Sequence, residues 1–187
     1  MGRAADILVA AVGLALASPV LLVAALAIRL ESRGPAIYRH RRVGKDGQVF
    51  DLFKLRTMVH GADSLRADVP VTRDDPHVTR VGRALRRASL DELPNLVNVL
   101  RGEMSIVGPR PTIESQVQAY TPEQRHRLEV RPGITGWAQV NGRVALPWDE
   151  RIELDVWYVD NRSLWLDLKI LARTFGLLLT GRGLTKG

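Results

Sequence analysis

The chain has 187 residues, no cysteine and a formal net charge of +7. Without cysteine it has no disulfide framework, thiolate metal site or Cys nucleophile, and at this length one compact domain with its own core is expected rather than two. The charge calls for an anionic partner, such as nucleic acid, phospholipid headgroups or a nucleotide substrate, and does not choose among them.

The first element is an apolar run from Ile7 to Ile28 that only Ser18 and Pro19 interrupt. About 22 residues at about 1.5 Å rise reach roughly 33 Å, enough to cross a hydrocarbon core of about 30 Å. Pro19 leaves the carbonyl of Ala15 without its helical partner and predicts a bend, and the Ser18 hydroxyl is expected to reach back to the carbonyl of Leu14. The arms Ile7–Ala17 and Val20–Ile28 are each about half a bilayer long, so a kinked spanning helix and a re-entrant helix-break-helix both fit. A cleaved signal peptide fits worse, because a cut near Ala15–Ser18 leaves Pro19–Ile28 as an apolar new N-terminus, and Arg3 is balanced by Asp6. Arg29, Arg33, Arg39, Arg41, Arg42 and Lys45 against Glu31 place the domain after this run on the cytoplasmic side. Residues 1–30 are read as the membrane element and 31–187 as a domain at the membrane interface.

Gly34 to Met58 reads as a β-hairpin turned at Lys45-Asp46-Gly47, with Lys54 and Arg56 on one face of the second strand. Gly61 to Pro76 is polar and without period, a mobile loop or lid. Leu85 to Leu100 returns to helical spacing, with Leu93, Leu96, Val97 and Leu100 on one stripe. A polar helix around Glu114–Tyr120 and another after Thr121-Pro122 are expected. At the C-terminal end Leu164, Leu168, Leu171, Phe175 and Leu178 form a stripe edged by Trp165, Lys169 and Arg173, which suits either an interfacial helix or a core helix.

The chemistry gathers in ASLDELPNLVNVLRGEMSIVGPRP, residues 88–111, where Asp91 and Glu92 adjoin ahead of a helix and Arg110 stands between Pro109 and Pro111. Ser89-x-x-Glu92 also matches a capping box, a purely structural use of the same residues. Pro94 favours an N-cap at Asp91, which would put that carboxylate at the positive helix end, ionised and beside N–H groups able to receive phosphate. Arg86, Arg87 and Arg110 suit a diphosphate, though solvated surface arginines and a loop-tethering ion pair are the plainer alternatives. RPGITGWAQVNGR, from Arg131 to Arg143, offers turns whose N–H groups would form an anion nest. No G-x-x-x-x-G-K-[ST], G-x-G-x-x-G, G-x-S-x-G or H-E-x-x-H occurs, and the four histidines are scattered singles.

Together the Ser18-Pro19 interruption, FKLRTM, SLDELPNLVNVLRGEMSIVGPRP, RPGITGWAQVNGR and ELDVWYVDNRSLWLDLKIL resemble the monotopic phosphoglycosyl transferases, the bacterial sugar-transferase family, over nearly the whole chain. The resemblance implies a predominantly α fold with a short β-hairpin (α+β), a helix that enters and leaves one leaflet, and interfacial amphipathic helices. It implies transfer of a sugar 1-phosphate from a UDP-sugar to a polyprenyl phosphate at the cytoplasmic face of the bacterial inner membrane, with Mg²⁺ and release of UMP, initiating lipid-linked glycan assembly. Asp91 then matches the nucleophile and Glu92 its acidic partner, both candidate metal ligands. Lys54, Arg86 and Arg110 match basic substrate-binding positions, to which the residue pattern adds Arg56, Arg131 and Arg143. His77 stands where the family commonly has a basic residue after Pro76, and the chain resembles the small subclass or a catalytic domain taken alone. Inner-leaflet phospholipids are expected partners and nucleic acid is not, while homo-oligomerisation is open. A Mg²⁺-dependent lipid phosphatase or phosphodiesterase and a non-catalytic basic lipid-binding domain are the alternatives.

Overall fold

The computed structural model describes residues 2–62, 75–142 and 146–180. Arg143 and most of the expected lid, 63–74, lie outside the described residues. Among the described residues the fold is mostly helical with two small sheets, as the α+β expectation requires.

Helix α1 (Arg3–Glu31) is continuous through Pro19. No interruption of the helix separates the two arms expected on either side of Ser18-Pro19, and the reason is local. Ser18 Oγ donates to the carbonyl of Ala15 at 2.8 Å, not to Leu14, and Ala15 is the residue whose carbonyl loses its partner to Pro19. Asp6, Ala10, Leu14, Leu21, Ala24 and Ile28 form one stripe that packs on the rest of the chain. The opposite side leaves Leu8, Val12, Leu16, Val23, Leu26 and Leu30 exposed. The membrane element foreseen over 1–30 thus shares its core with the domain C-terminal to it.

Strands β1 (Ile37–Val43) and β2 (Val49–Leu55) pair antiparallel from Ile37↔Leu55 to Val43↔Val49. Asp46 and Gly47, both at positive φ, turn the hairpin where the Asp-Gly signal lies. The helix expected over Leu85–Leu100 is instead two: α2 (Arg80–Arg87) and α3 (Asn95–Arg101). Between them Ser89 takes the left-handed conformation and Leu90–Glu92 form a 3-10 turn. Pro94 explains the split, since it has no N–H to give Leu90.

Strand β3 (Ser105–Val107) pairs parallel with β4 (Gly133–Thr135), a second sheet that the sequence pattern did not announce. Here glycine is required by proximity: a Cβ on Gly133 would lie 2.1 Å from the nitrogen of Gly108, and one on Gly136 2.1 Å from the Gly108 oxygen. Short helices α4 (Glu114–Gln118), α5 (Pro122–Arg125) and α6 (Trp137–Val140) come next, with Thr121 and Gln124 forming a capping box at α5. Helices α7 (Trp148–Asn161) and α8 (Leu164–Thr180) are the last elements of the described residues. Helix α8 buries Leu166, Asp167 and Ile170, whereas Leu164, Trp165, Leu168 and Phe175 are exposed. The apolar stripe of the sequence thus faces mainly outward, and the core face is a different one.

Ser105 Oγ donates to both carboxylate oxygens of Asp6 (3.0 and 2.9 Å) and the Ile106 N–H to one of them (3.1 Å), all of it buried. Asp6→Ala strands two buried donors and is expected to lower stability by about 1–3 kcal/mol, read as a reduced thermal midpoint of the detergent-solubilised protein.

Candidate active site

Asn98, fully buried on α3, sets the frame. Its Oδ1 accepts the Phe53 N–H at 3.0 Å, and its Nδ2 donates to the Asp51 carbonyl and to Glu103 Oε2, both at 2.7 Å. This fastens β2 to α3 and brings Lys54 opposite the turn that carries Asp91 and Glu92. Lys54 Nζ lies 2.8 Å and Arg110 Nη2 2.7 Å from the same atom, Glu92 Oε1. A shallow cleft opens beside them, lined among others by Arg42, Lys54, Glu92, Asn95, Arg110 and Ile134.

The two adjacent carboxylates are driven apart. Burial works against ionisation of Glu92, but the Arg110 and Lys54 charges and their hydrogen bonds outweigh it and hold this carboxyl well below its usual range. Burial first, and the Glu92 charge second, push Asp91 up against the pull of Lys54 and Arg86. The N-cap expected at Asp91 is not formed, because Asp91 sits in the 3-10 turn and Pro94 is the residue ahead of α3. The capping-box alternative is not formed either, as Ser89 makes no side-chain cap bond.

Of the other expected residues, Arg86 is held by Thr57, its Nε donating to Oγ1 at 2.8 Å, within electrostatic reach of Asp91. Arg56 does not join the cleft: it is 3% exposed and donates to the carbonyls of Ser32 and Arg33. It lies one residue past the end of β2, so the alternation that pairs it with Lys54 has ended. Arg131 donates to the carbonyl of Gly102 at 2.8 Å, capping the end of α3. Of the N–H groups expected to form an anion nest, that of Gly133 is taken by the carbonyl of Pro109. His77 is bonded through its backbone N–H and ring to Asp75.

Sequence reasoning missed the support of Arg110. Arg127, 4% exposed, pairs with buried Asp155, donates to the Tyr120 hydroxyl, and through Nη2 holds the Arg110 carbonyl at 3.0 Å. No local pattern links these positions, which come from three separate segments. Arg42 and Asn95 were also passed over as cleft residues. Their signal was polarity at places where a strand or an apolar helix turns inward.

Asp91 and Glu92 suit a hard cation such as Mg²⁺, which commonly takes one or two carboxylates and completes its shell with substrate phosphates and water. Among the described residues no three His, Cys, Asp or Glu side chains converge on one point.

An ionised acid held between two cations, beside a helix that turns a long apolar face outward, suits transfer of an anionic group at a lipid surface. The family model described as bacterial sugar transferase matches residues 1–181, and the chain belongs to that family. It is 48% identical over 189 residues to the UDP-glucose:undecaprenyl-phosphate glucose-1-phosphate transferase of Caulobacter vibrioides, covering 95% of this chain and 69% of that protein. It is 46% identical over 167 residues to the uncharacterized sugar transferase EpsL of Bacillus subtilis, covering 89% and 81%. To the exopolysaccharide production protein ExoY of Rhizobium meliloti it is 39% identical over 195 residues, covering 97% and 86%.

The opposed carboxylates give a signed pH prediction for the metal-free protein. Glu92 contributes stability above its ordinary pKa that is lost as pH falls through its lower folded value; Asp91, raised, gains stability as pH falls through its own. Glu92→Gln removes one charge that raises Asp91 and releases two cations to lower it. The Asp91 carboxyl, followed by carbon NMR in EDTA, is then expected to titrate at lower pH than in the unmodified protein.

Proposed function

We propose that this chain transfers a sugar 1-phosphate from a UDP-sugar to a polyprenyl phosphate, releasing UMP and initiating assembly of a lipid-linked glycan. The observation that carries the reading is the Glu92 carboxylate fixed between Lys54 and Arg110 next to Asp91. The name of the Caulobacter relative, which specifies UDP-glucose and undecaprenyl phosphate, supports the donor and acceptor classes.

In this mechanism a carboxylate oxygen of Asp91 attacks the β-phosphorus of the donor, and the bond from that phosphorus to the bridging oxygen breaks, with UMP taking the electron pair. An aspartyl phosphosugar forms. The polyprenyl phosphate oxygen then attacks the same phosphorus, and the Asp91 carboxylate leaves. Raised basicity makes Asp91 the better nucleophile of the pair, while Glu92 stays anionic and positions Lys54 and Arg110 for the diphosphate oxygens. Asp91 and Glu92 would also hold Mg²⁺, which when bound neutralises diphosphate charge and eases departure of UMP.

The membrane arrangement is proposed as monotopic and re-entrant, with the domain on the cytoplasmic face and both ends of α1 on that side. Support comes from attachment of both ends to one body: Asp6 to Ser105 and Ile106, and Glu31 to the N–H groups of Arg80 and Val81. The exposed apolar faces of α1 and α8 would lie in the inner leaflet among its phospholipids.

Given a UDP-sugar and Mg²⁺ without lipid acceptor, the enzyme is expected to release about one equivalent of UMP and gain the mass of a sugar phosphate on Asp91. Asp91→Asn should abolish both. UMP release only when lipid is present, or an adduct elsewhere, would refute the two-step route, and continuous release of free sugar phosphate would favour the phosphatase reading.

For topology, cysteines replacing Ala4 and Arg33, both exposed, should each react with an impermeant reagent from the cytoplasmic side of inverted vesicles. Labelling from opposite sides would refute monotopic seating.

A further inference from the structure

Asn95 is the deepest polar side chain that borders the cleft. It lies in the first turn of α3, three residues beyond Glu92, is 3% exposed, and shares the cleft lining with Lys54, Glu92 and Arg110. Its Oδ1 is buried and accepts no hydrogen bond. Asn98, less than one turn further along the same helix, is equally buried and has both ends of its amide satisfied. Buried amide oxygens without a donor are uncommon in folded proteins, because desolvation is then uncompensated. One asparagine serves the fold, and the other, in the wall of the cleft, carries a buried acceptor without a donor.

An acceptor needs a donor, and ionised phosphate oxygens have none. The diphosphate is the business of the cations, which lie further out: the side chain of Arg110 is 54% exposed and that of Lys54 18%. Leu52 and Met104, 3% and 1% exposed, line the cleft with Asn95. The phosphorus that Asp91 would attack carries the sugar through a single oxygen, whereas the nucleoside is one phosphate further away. A donor that reaches an acceptor three residues past Glu92 therefore belongs to the sugar.

We propose that Asn95 determines sugar specificity, its Oδ1 accepting a hydrogen bond from a ring hydroxyl of the sugar whose phosphate lies beside Lys54, Glu92 and Arg110. This inference rests on the proposed transferase activity.

The test uses the full chain in nanodiscs with undecaprenyl phosphate and measures UMP release from UDP-glucose, UDP-galactose and UDP-N-acetylglucosamine. Failure of the unmodified protein on every UDP-sugar would refute the transferase reading itself. With turnover established, Asn95→Leu and Asn95→Ala are expected to lose about tenfold in kcat/KM on the preferred donor, mainly through KM, with the preference among sugars falling toward unity. Inhibition by UMP should be unchanged. Asn95→Leu, which removes the orphaned oxygen, should also keep or raise the thermal midpoint, whereas loss of a residue needed only by the fold would lower it. An unchanged preference, or an equal loss on all donors with weaker UMP inhibition, would overturn the proposal. The unmodified protein supplies an independent measurement: among monodeoxy analogues of the preferred UDP-sugar, one position should cost about tenfold in kcat/KM. Fluorine there, which cannot donate, should not restore the rate. Tolerance of every deoxy position would overturn the assignment.

Discussion

Helix α1 holds the turn that carries Asp91 and Glu92 from both sides. At its N-terminal end Arg3 donates to the carbonyls of Val99 and Leu100, the last carbonyls of α3, where a cation is favoured by the helix dipole. At its C-terminal end Glu31 accepts from the N–H groups of Arg80 and Val81, the first of α2, where an anion is favoured; these bonds lower its carboxyl despite burial. The 3-10 turn lies between α2 and α3, so its two flanking helices are fixed by one 29-residue helix. The apolar helix is therefore part of the site's construction, and its exposed face cannot be moved relative to the cleft without straining these caps.

The cationic side of the site is held with comparable care. Arg110 is half-exposed and would be a loosely placed surface side chain on its own, but its backbone carbonyl is gripped by Arg127. Arg127 in turn is locked by Asp155 on α7 and by Tyr120. A buried pair of this kind adds little net stability over an apolar replacement, yet losing one partner costs about 3–5 kcal/mol, so it specifies geometry more than it strengthens the fold.

The legible parts of the sequence were those with local signatures: the Asp-Gly hairpin, the helix start at Thr121-Pro122, the apolar first helix and the charged residues Lys54, Glu92 and Arg110, which the fold brings together. What escaped reading depended on distant partners. Strands β3 and β4 are three residues each and meet only because Gly108, Gly133 and Gly136 allow backbone to touch backbone. Periodicity over Leu85–Leu100 suggested one helix, and Pro94 overrode it. Arg56 and Arg131 carry the charge of a phosphate-binding residue, but backbone carbonyls from other segments claim both. Charge at a motif predicts affinity for an anion, while the fold decides which anion or dipole receives it.

The displacement of Asp91 from an N-cap into the 3-10 turn has a chemical consequence. At an N-cap its oxygens would be occupied by N–H groups of the first helical turn, and the helix dipole would stabilise the anion. Both effects lower basicity and weaken a nucleophile. In the turn, burial and the neighbouring Glu92 charge act in the opposite direction, while Glu92 takes the hydrogen bonds of Lys54 and Arg110 for itself. Two adjacent acids of ordinary intrinsic strength are thus separated, Asp91 upward and Glu92 downward. Pro94, by preventing helix from extending back through Leu90, is the residue in the sequence that makes the division possible.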